Sequence, residues 1–248
     1  MTDNARDGAA MSERVVVVTG ATGPAGTAAT AALRAVGATV VAVGHSAERL
    51  SVLADRHHGL LTERIDLADF HAVGTLAARI RDRLGRVDGL IHLVGGYRGG
   101  DTFTSNTEAD WRFLSTALID TLRHTTLAFH DDLIAAPAGR VAVVSAQAAA
   151  RPTAGSAGYA AAKAAAEAWM LALADSFRRS APSPGGGAAA VTFVVKALVD
   201  DRMRVASPDR KFPGFTDVGD LAHRIVELWA VDAADLNGVR IALDGAHG

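Results

Sequence analysis

Tyr159 and Lys163 lie four residues apart in the alanine-rich stretch GYAAAKAAAEAW, residues 158–169. On a helix, residues at this spacing project from one face, so the two side chains can share a site. A tyrosine with its ordinary pKa of about 10 is a poor base at neutral pH, and a nearby ammonium group would lower that pKa. The pair therefore indicates proton transfer to or from an oxygen atom. The alternative is that each is a polar side chain on the helix surface with no chemical role.

Ser145 ends the stretch RVAVVS, residues 140–145, and precedes Tyr159 by fourteen residues. A serine hydroxyl can hold a substrate oxygen while its charge changes, although a serine at the end of a strand is also an ordinary turn residue. Proton transfer at a carbonyl or alcohol oxygen accompanies hydride transfer in nicotinamide chemistry. Ser145, Tyr159 and Lys163 are therefore the candidate catalytic residues.

A glycine-rich loop, TGATGPAG, follows the first apolar run and precedes an alanine-rich helical stretch. Gly20, Gly23 and Gly26 are three residues apart, and glycines there let the backbone approach a pyrophosphate at the positive end of a helix. A tight turn without a ligand is the alternative. The predicted dinucleotide-binding loop comprises Gly20, Thr22, Gly23, Pro24, Ala25 and Gly26.

The second apolar run ends in VAVGHSAER, and its end bears on the choice of cofactor. An acidic residue at this point holds the ribose of NAD, whereas a hydroxyl or a cation suits the 2′-phosphate of NADP. The position is occupied by Gly44, followed by His45 and Ser46, which favours NADP(H) while leaving NAD(H) open. Asp66 and Leu67, after the third run, are placed to meet the adenine ring, and Asp66 could equally cap the next helix.

Short β-branched runs alternate with helical stretches along the chain, and runs such as VVVV are typical of strands covered on both faces. This order predicts an α/β fold: a single-domain, Rossmann-type, doubly wound, seven-stranded parallel sheet with helices on both faces. We expect a disordered tail over residues 1–13, and one dinucleotide-binding domain over 14–248 with a substrate lid at about 200–216.

Composition excludes several classes of function. The sequence has no cysteine and a net charge of −2, which argues against disulfides, cysteine-ligated zinc and a nucleic-acid partner. Its nine histidines show no zinc-binding spacing, so no metal is predicted. No apolar run is long enough to span a membrane, and the N-terminus lacks the apolar core of a signal peptide. We expect a cytoplasmic protein that acts on a small molecule.

From about residue 14 to 245 the sequence resembles the short-chain dehydrogenase/reductase family. The resemblance rests on the glycine loop, the Asp66 turn, VDGLIHLVGG, Ser145, Tyr159-x-x-x-Lys163 and the closing NGVRIALDG. It implies that Tyr159 is the acid/base, that Ser145 meets the substrate oxygen, and that Lys163 lowers the tyrosine pKa and holds the nicotinamide ribose. It also implies cofactor contacts at Val94, Gly95 and Ala197, and a homodimer or homotetramer built from the two long helical stretches around 107–136 and 156–180.

Three positions depart from that family's pattern. His92 begins the segment where the family has an Asn-Asn-Ala-Gly motif, so the side-chain bonds of the first asparagine are lost. Leu118 stands where the asparagine of the catalytic tetrad is expected, and leucine cannot organise a water molecule. After the sixth strand, Lys196 and Ala197 replace the family's Pro-Gly, and Asp201 stands where a threonine would hold the carboxamide.

The segment VGGYRGG, residues 94–100, is similar to a segment of quinonoid dihydropteridine reductases. It places Tyr97 on a glycine-flexed loop above the site, where it would contact substrate, although a surface tyrosine is an equal alternative. Gln147 is a second candidate for substrate contact.

These observations predict an NADP(H)-preferring oxidoreductase that acts on the carbonyl or hydroxyl group of a small organic molecule. A dinucleotide-binding sensor or scaffold with weakened catalysis is the alternative, because the changes at Leu118 and after the sixth strand remove usual supports. A lyase or isomerase that uses Tyr159 without net redox chemistry is a third.

Overall fold

The computed structural model describes residues 11–181 and 186–243. Most of the expected tail, residues 1–10, lies outside this range, whereas Met11 is buried in the core. Residues 182–185, within the Pro- and Gly-rich stretch PSPGGG that predicts a flexible turn over 182–187, and the last five residues of the chain, 244–248, are also outside it.

The first half of the chain alternates strands and helices. In order, its elements are β1 (Val15–Thr19), α1 (Pro24–Ala35), β2 (Thr39–Gly44), α2 (Ala47–Arg56), β3 (Leu61–Arg64), α3 (Phe70–Leu84) and β4 (Gly89–His92). The strands and helices therefore alternate as the sequence pattern predicts.

The second half contains the two long helical stretches and the lid region. Its elements are α4 (Glu108–Ser115), a π-helical turn (Thr116–Asp120), α5 (Thr121–Ala135), β5 (Arg140–Ala146), α6 (Ala157–Ser180), β6 (Ala189–Val195), β7 (Leu198–Val199), α7 (Asp201–Ala206), β8 (Thr216–Asp217), α8 (Val218–Glu227), α9 (Ala233–Leu236) and β9 (Arg240–Ala242). The first long stretch is therefore two helices joined by a π turn. The lid region is anchored because β8 pairs with β7.

Seven parallel strands form the central sheet of the described residues, in the order β3-β2-β1-β4-β5-β6-β9. This confirms the predicted fold class. The strand order reverses at β1, which pairs with β2 on one side and with β4 on the other. In such sheets the crevice beyond the carboxyl ends of the strands at the reversal is the expected ligand site.

Two apolar layers cover the sheet, which explains the continuous apolar runs. Val15 and Val17 of β1 pack with residues of α3, α5 and α6, whereas Val16 and Val18 pack with residues of α1 and α8. Because successive strand side chains point to opposite faces, a strand buried on both faces has no polar positions in its middle.

Candidate active site

A cavity of about 330 Å³ lies beyond the carboxyl ends of β1, β4 and β5. It is lined by the glycine loop, the end of β4 and following residues, β5, α6, and the chain from β7 to α8: Gly23, Pro24, Ala25, Gly26, His92, Leu93, Val94, Gly95, Gly96, Val144, Lys163, Leu198, Val199, Asp200, Met203 and Val218. The structure thus brings Lys163 to the same cavity as the loop. Neither Ser145 nor Tyr159 is among its described lining residues.

Two glycines of the loop are required by the packing around them. Gly20 has φ of +70°, and a Cβ there would lie 2.6 Å from the carbonyl oxygen of Leu93. A Cβ on Gly26 would lie 2.2 Å from the carbonyl oxygen of Gly20. Gly23 is different, since a Cβ there would meet its nearest neighbour at 3.4 Å, an ordinary contact.

The N-terminus of α1 is open to an anion. Gly23 is its N-cap and supplies no side-chain hydrogen bond, Pro24 stands in the first turn, and no acidic side chain lies in that turn. The free N–H groups and the positive end of the helix dipole therefore face the cavity. Together with the close approach at Gly20 and Gly26, this arrangement fits the pyrophosphate of a dinucleotide.

Gly44 is buried at the end of β2, and a Cβ there would lie 3.3 Å from Thr22 Cγ2. The hydroxyl of Ser46 accepts a hydrogen bond from the Arg49 backbone and caps α2. Arg64, paired in register with Gly44, donates from Nε to the His45 carbonyl at 3.3 Å. The sequence alone does not reveal this exposed cation, because only the strand pairing brings it beside Gly44.

Asp66 and Leu67 occupy the turn after β3. The Asp66 carboxylate accepts from the Ala68 backbone at 2.9 Å, while Asp69 is the N-cap of α3 and accepts from Ala72. The helix-capping alternative for Asp66 is therefore not what the structure shows. The Leu67 carbonyl accepts a hydrogen bond from His124 at 2.9 Å.

Lys163 is 7% exposed, and its Nζ donates to the Val144 carbonyl at 2.7 Å. Burial lowers the pKa of Lys163 to about 8, against the opposing effect of the Glu167 carboxylate. The ammonium group therefore stays largely protonated at neutral pH, in the lining of the cavity.

Tyr159 lies between Lys163 and the loop after β4. Its ring centroid is 5.8 Å from Lys163 Nζ, and 5.1 Å from the ring of Tyr97, which meets it edge to face. Burial, with a further contribution from Tyr97, raises the pKa of Tyr159 above its ordinary value. This is opposite to the lowering expected from the ammonium group of Lys163, because loss of solvent around the phenol destabilises the charged phenolate. The phenol is accordingly a neutral proton donor at pH 7.

Ser145 faces Glu167. Its hydroxyl donates to Glu167 Oε1 at 2.5 Å, and the side chain of Glu167 is in turn paired with Arg240 at 2.8 Å. The single hydroxyl proton of Ser145 is thus used within the protein. The substrate-oxygen role of Ser145 stays a prediction, and it requires this proton to turn away from Glu167.

His92, where the family pattern has asparagine, joins three elements. Thr121 donates its hydroxyl proton to the Ala117 carbonyl, so its oxygen accepts from His92 Nε2 at 3.2 Å. Thr125 likewise donates to the Thr121 carbonyl, which leaves Thr19 to donate to His92 Nδ1 at 2.9 Å. His92 is therefore the Nε2–H tautomer. Burial lowers its pKa to about 3, and Lys163 adds to this effect.

Leu118 lies in the π-helical turn and is buried against Leu114 and Ala162, with Tyr159 packed on the same cluster. A Cβ on Gly95 would meet the Leu118 side chain at 3.7 Å. The position of the missing asparagine is thus filled by an apolar contact beneath Tyr159. Single-turn π-helices are often found at functional sites.

The segment after β6 lines part of the cavity. Lys196 donates to the Pro213 carbonyl at 2.9 Å, and the Ala197 carbonyl accepts from Thr216 at 2.9 Å. Asp200 lines the cavity and caps α7, whereas Asp201 lines a neighbouring cleft. Gln147 is exposed in the short turn that follows β5.

Within residues 11–181 and 186–243, no group of three or more histidine, aspartate or glutamate side chains is arranged to hold a metal ion. None of the helices in those ranges combines the length and the apolar character needed to cross a bilayer.

Residues 14–181 match the family model described as short chain dehydrogenase. No curated protein matches the chain by sequence.

Solved structures share the fold. A short chain oxidoreductase from Pseudomonas aeruginosa PAO1, described as containing an atypical catalytic center, superposes with a TM-score of 0.82 at 22% identity, covering 95% of this chain and 97% of that one. A short chain dehydrogenase from Shigella flexneri 2a, solved with NADP, gives 0.80 at 21%, covering 92% and 96%. A short-chain type dehydrogenase/reductase from Mycobacterium ulcerans gives 0.82 at 19%, covering 94% and 88%.

The steric requirement at the loop can be tested by comparing two glycines. Gly26→Ala should lower the free energy of unfolding by about 1–3 kcal/mol, because its Cβ meets backbone that cannot move aside. Gly23→Ala should cost less than about 1 kcal/mol, since its Cβ has room. Urea denaturation without nucleotide measures both variants. Equal losses would contradict the packing described for Gly26.

The buried neutral His92 should make stability depend on pH. The unfolded chain binds a proton on His92 below about pH 6.5, whereas the folded protein binds it only near pH 3. The free energy of unfolding should therefore fall as the pH is lowered through this window, by about 2 kcal/mol from pH 7 to pH 5. Denaturation of wild type and His92→Asn at both pH values isolates this contribution, and identical pH slopes would refute it.

Proposed function

Because the chain belongs to the short-chain dehydrogenase family, a family of oxidoreductases that use a nicotinamide dinucleotide, we propose that it reduces the carbonyl group of a small organic molecule with NADPH. The observation that carries this proposal is the pair formed by the partly buried Tyr159 and the buried Lys163, beside a loop that fits a pyrophosphate. When bound, the dinucleotide would supply the hydride.

Gly20 to Gly26 and the N-terminus of α1 would hold the pyrophosphate, and Lys163 would reach the nicotinamide ribose. Tyr159 would donate its phenolic proton to the carbonyl oxygen as negative charge develops there. The raised pKa of Tyr159 supports the reducing direction, since a neutral phenol is an acid and not a base. The ammonium group of Lys163 would stabilise the phenolate that remains.

The surroundings of Lys163 favour an apolar substrate. Leu93, Val94, Val144 and Met203 line the same cavity as Lys163. Tyr97 covers Tyr159 edge to face from a loop held in place by the bond from Gly100 N–H to the Gly155 carbonyl. We therefore propose Tyr97 as a substrate contact, with Gln147 as a second at the rim.

The preference for NADP(H) rests on the end of β2. Gly44 leaves no carboxylate to hold a ribose 2′-hydroxyl, and Arg64 lies beside His45 as an exposed cation. A guanidinium is well suited to a phosphate, which it can bind through two parallel hydrogen bonds. The Shigella flexneri relative is solved with NADP, and the Pseudomonas aeruginosa relative with NADPH.

A catalytically weak dinucleotide sensor is the second candidate. Two observations favour it: Leu118 occupies the place of the tetrad asparagine, and the hydroxyl proton of Ser145 is donated to Glu167. Such a protein would bind NADPH tightly and turn over none of the substrates offered.

We also propose a homo-oligomer in the cytoplasm. Leu127 of α5 and Leu171 of α6 are exposed apolar side chains on the two helical stretches that the family resemblance places at subunit contacts.

Removal of the proton donor tests the proposed reaction. Tyr159→Phe should lower kcat/KM for NADPH-dependent reduction by about 10²–10⁴-fold, because phenylalanine retains the ring and loses the hydroxyl. The assay offers a panel of ketones, aldehydes and quinonoid compounds and follows NADPH oxidation. NADPH binding, measured by fluorescence, should survive in the variant. If Tyr159→Phe reduced the substrates as fast as the wild type, the proton-donor role of Tyr159 would be contradicted. If the wild type bound NADPH but reduced none of the compounds, the sensor would be favoured.

Arg64 tests the cofactor preference. Arg64→Gln should weaken NADPH binding by about tenfold and leave NADH binding within about twofold, because only NADPH carries the 2′-phosphate. Calorimetric titrations of both nucleotides measure this. Arg79→Gln is the matched control, since Arg79 is exposed on α3 and pairs with Glu63. A clear NADH preference in the wild type would refute the interpretation of Gly44, His45 and Ser46.

A further inference from the structure

Glu167 lies one helical turn beyond Lys163, so Tyr159, Lys163 and Glu167 follow one another along one face of α6. The side chain of Glu167 is only 14% exposed. A carboxylate withdrawn from water to this extent needs partners, because loss of hydration destabilises its charge.

Both oxygens of the Glu167 carboxylate are engaged. Oε1 accepts from Ser145 at 2.5 Å and from Arg240 Nη2 at 3.3 Å, and Oε2 accepts from Arg240 Nε at 2.8 Å. The neighbouring Val144 carbonyl holds Lys163 Nζ. Two consecutive residues of β5 are thus tied to two consecutive turns of α6, and β9 is tied to the same carboxylate.

The groups that face Lys163 differ in charge. His92, from β4, and Tyr159, from α6, are neutral at pH 7, because burial lowers the pKa of the first and raises that of the second. Asp200, from the segment after β7, lines the same cavity. The Glu167 carboxylate raises the pKa of Lys163 against the effect of burial. Arg240 approaches from β9 and offsets part of that negative charge.

We propose that Glu167 is a positioning residue that keeps Lys163 protonated beneath Tyr159 and anchors the end of β5 through Ser145. The consequence for catalysis rests on the proposed function, whereas the effect on Lys163 itself does not. Loss of the carboxylate would leave a buried ammonium group with less compensation, so it would release its proton at lower pH.

The chain is well suited to a direct test because it contains three lysines, Lys163, Lys196 and Lys211. With ¹³C-labelled lysine, each Cε gives one NMR signal, and Lys196→Arg and Lys211→Arg assign the signals by elimination. Glu167→Gln should lower the titration midpoint of Lys163 by about one pH unit, because glutamine can still accept from Ser145 but carries no charge.

Two further variants test whether the titration midpoint of Lys163 responds to the charge at Glu167. Arg240→Gln should raise the Lys163 midpoint by roughly 0.3 pH unit, since it removes a positive charge and keeps the carboxylate. Glu63→Gln, which breaks an exposed ion pair with Arg79 on another part of the surface, should leave the midpoint in place. Arg240 is 43% exposed, so its variant reports on the same charge if Glu167→Gln fails to fold.

An unchanged Lys163 midpoint in Glu167→Gln, or an unchanged or lower one in Arg240→Gln, overturns the proposal. Because the titration uses the protein without nucleotide or substrate, it stays decisive even if no carbonyl compound is reduced. Where turnover is found, the alkaline limb of kcat/KM should move to lower pH with the Lys163 midpoint, and Glu167→Asp should restore part of the shift.

Discussion

Removing a protonated lysine from water costs free energy. Much of the site stabilises the buried charge of Lys163 and so offsets this loss of hydration. The Val144 carbonyl accepts a hydrogen bond from its Nζ, and Glu167 supplies negative charge one turn along the helix. The alanines around Lys163 leave room for α6 to lie close to the sheet, and that close approach brings Nζ within reach of a strand carbonyl. A bulkier helix surface would hold the ammonium group away from β5.

A second buried polar group in the site, the ring of His92, is stabilised by hydrogen bonds and not by a neighbouring charge. His92 stands where an amide side chain is expected, and three threonines on β1 and α5 surround its ring. Because Thr121 follows the π turn directly, the bond from His92 fixes β4 relative to that turn. Leu118, in this turn, packs beneath Tyr159. This apolar contact helps to keep water from the phenol and contributes to its neutral state.

Much of the fold could be predicted because its constraints are local in sequence. Runs such as VVVV in β1 are typical of strands covered on both faces, and their alternation with helical stretches leaves few topologies besides a doubly wound sheet. The site residues on α6 were found for a similar reason, since helical spacing alone places Tyr159 and Lys163 on one face. The π turn could not be predicted, because no residue type marks the extra backbone residue that it accommodates.

The sequence by itself determined the sheet, the glycine loop and the pairing of Tyr159 with Lys163, because each depends on residues a few positions apart. The tertiary structure decided the partners that come from distant segments: Arg64 beside His45, Arg240 on Glu167, and Thr19 and Thr121 on His92. It also decided the protonation state of Tyr159, since the pKa depends on how much solvent the packed chain excludes, and Tyr97 and Leu118 exclude it. Spacing identifies which groups can meet, but burial sets the charge they carry when they do.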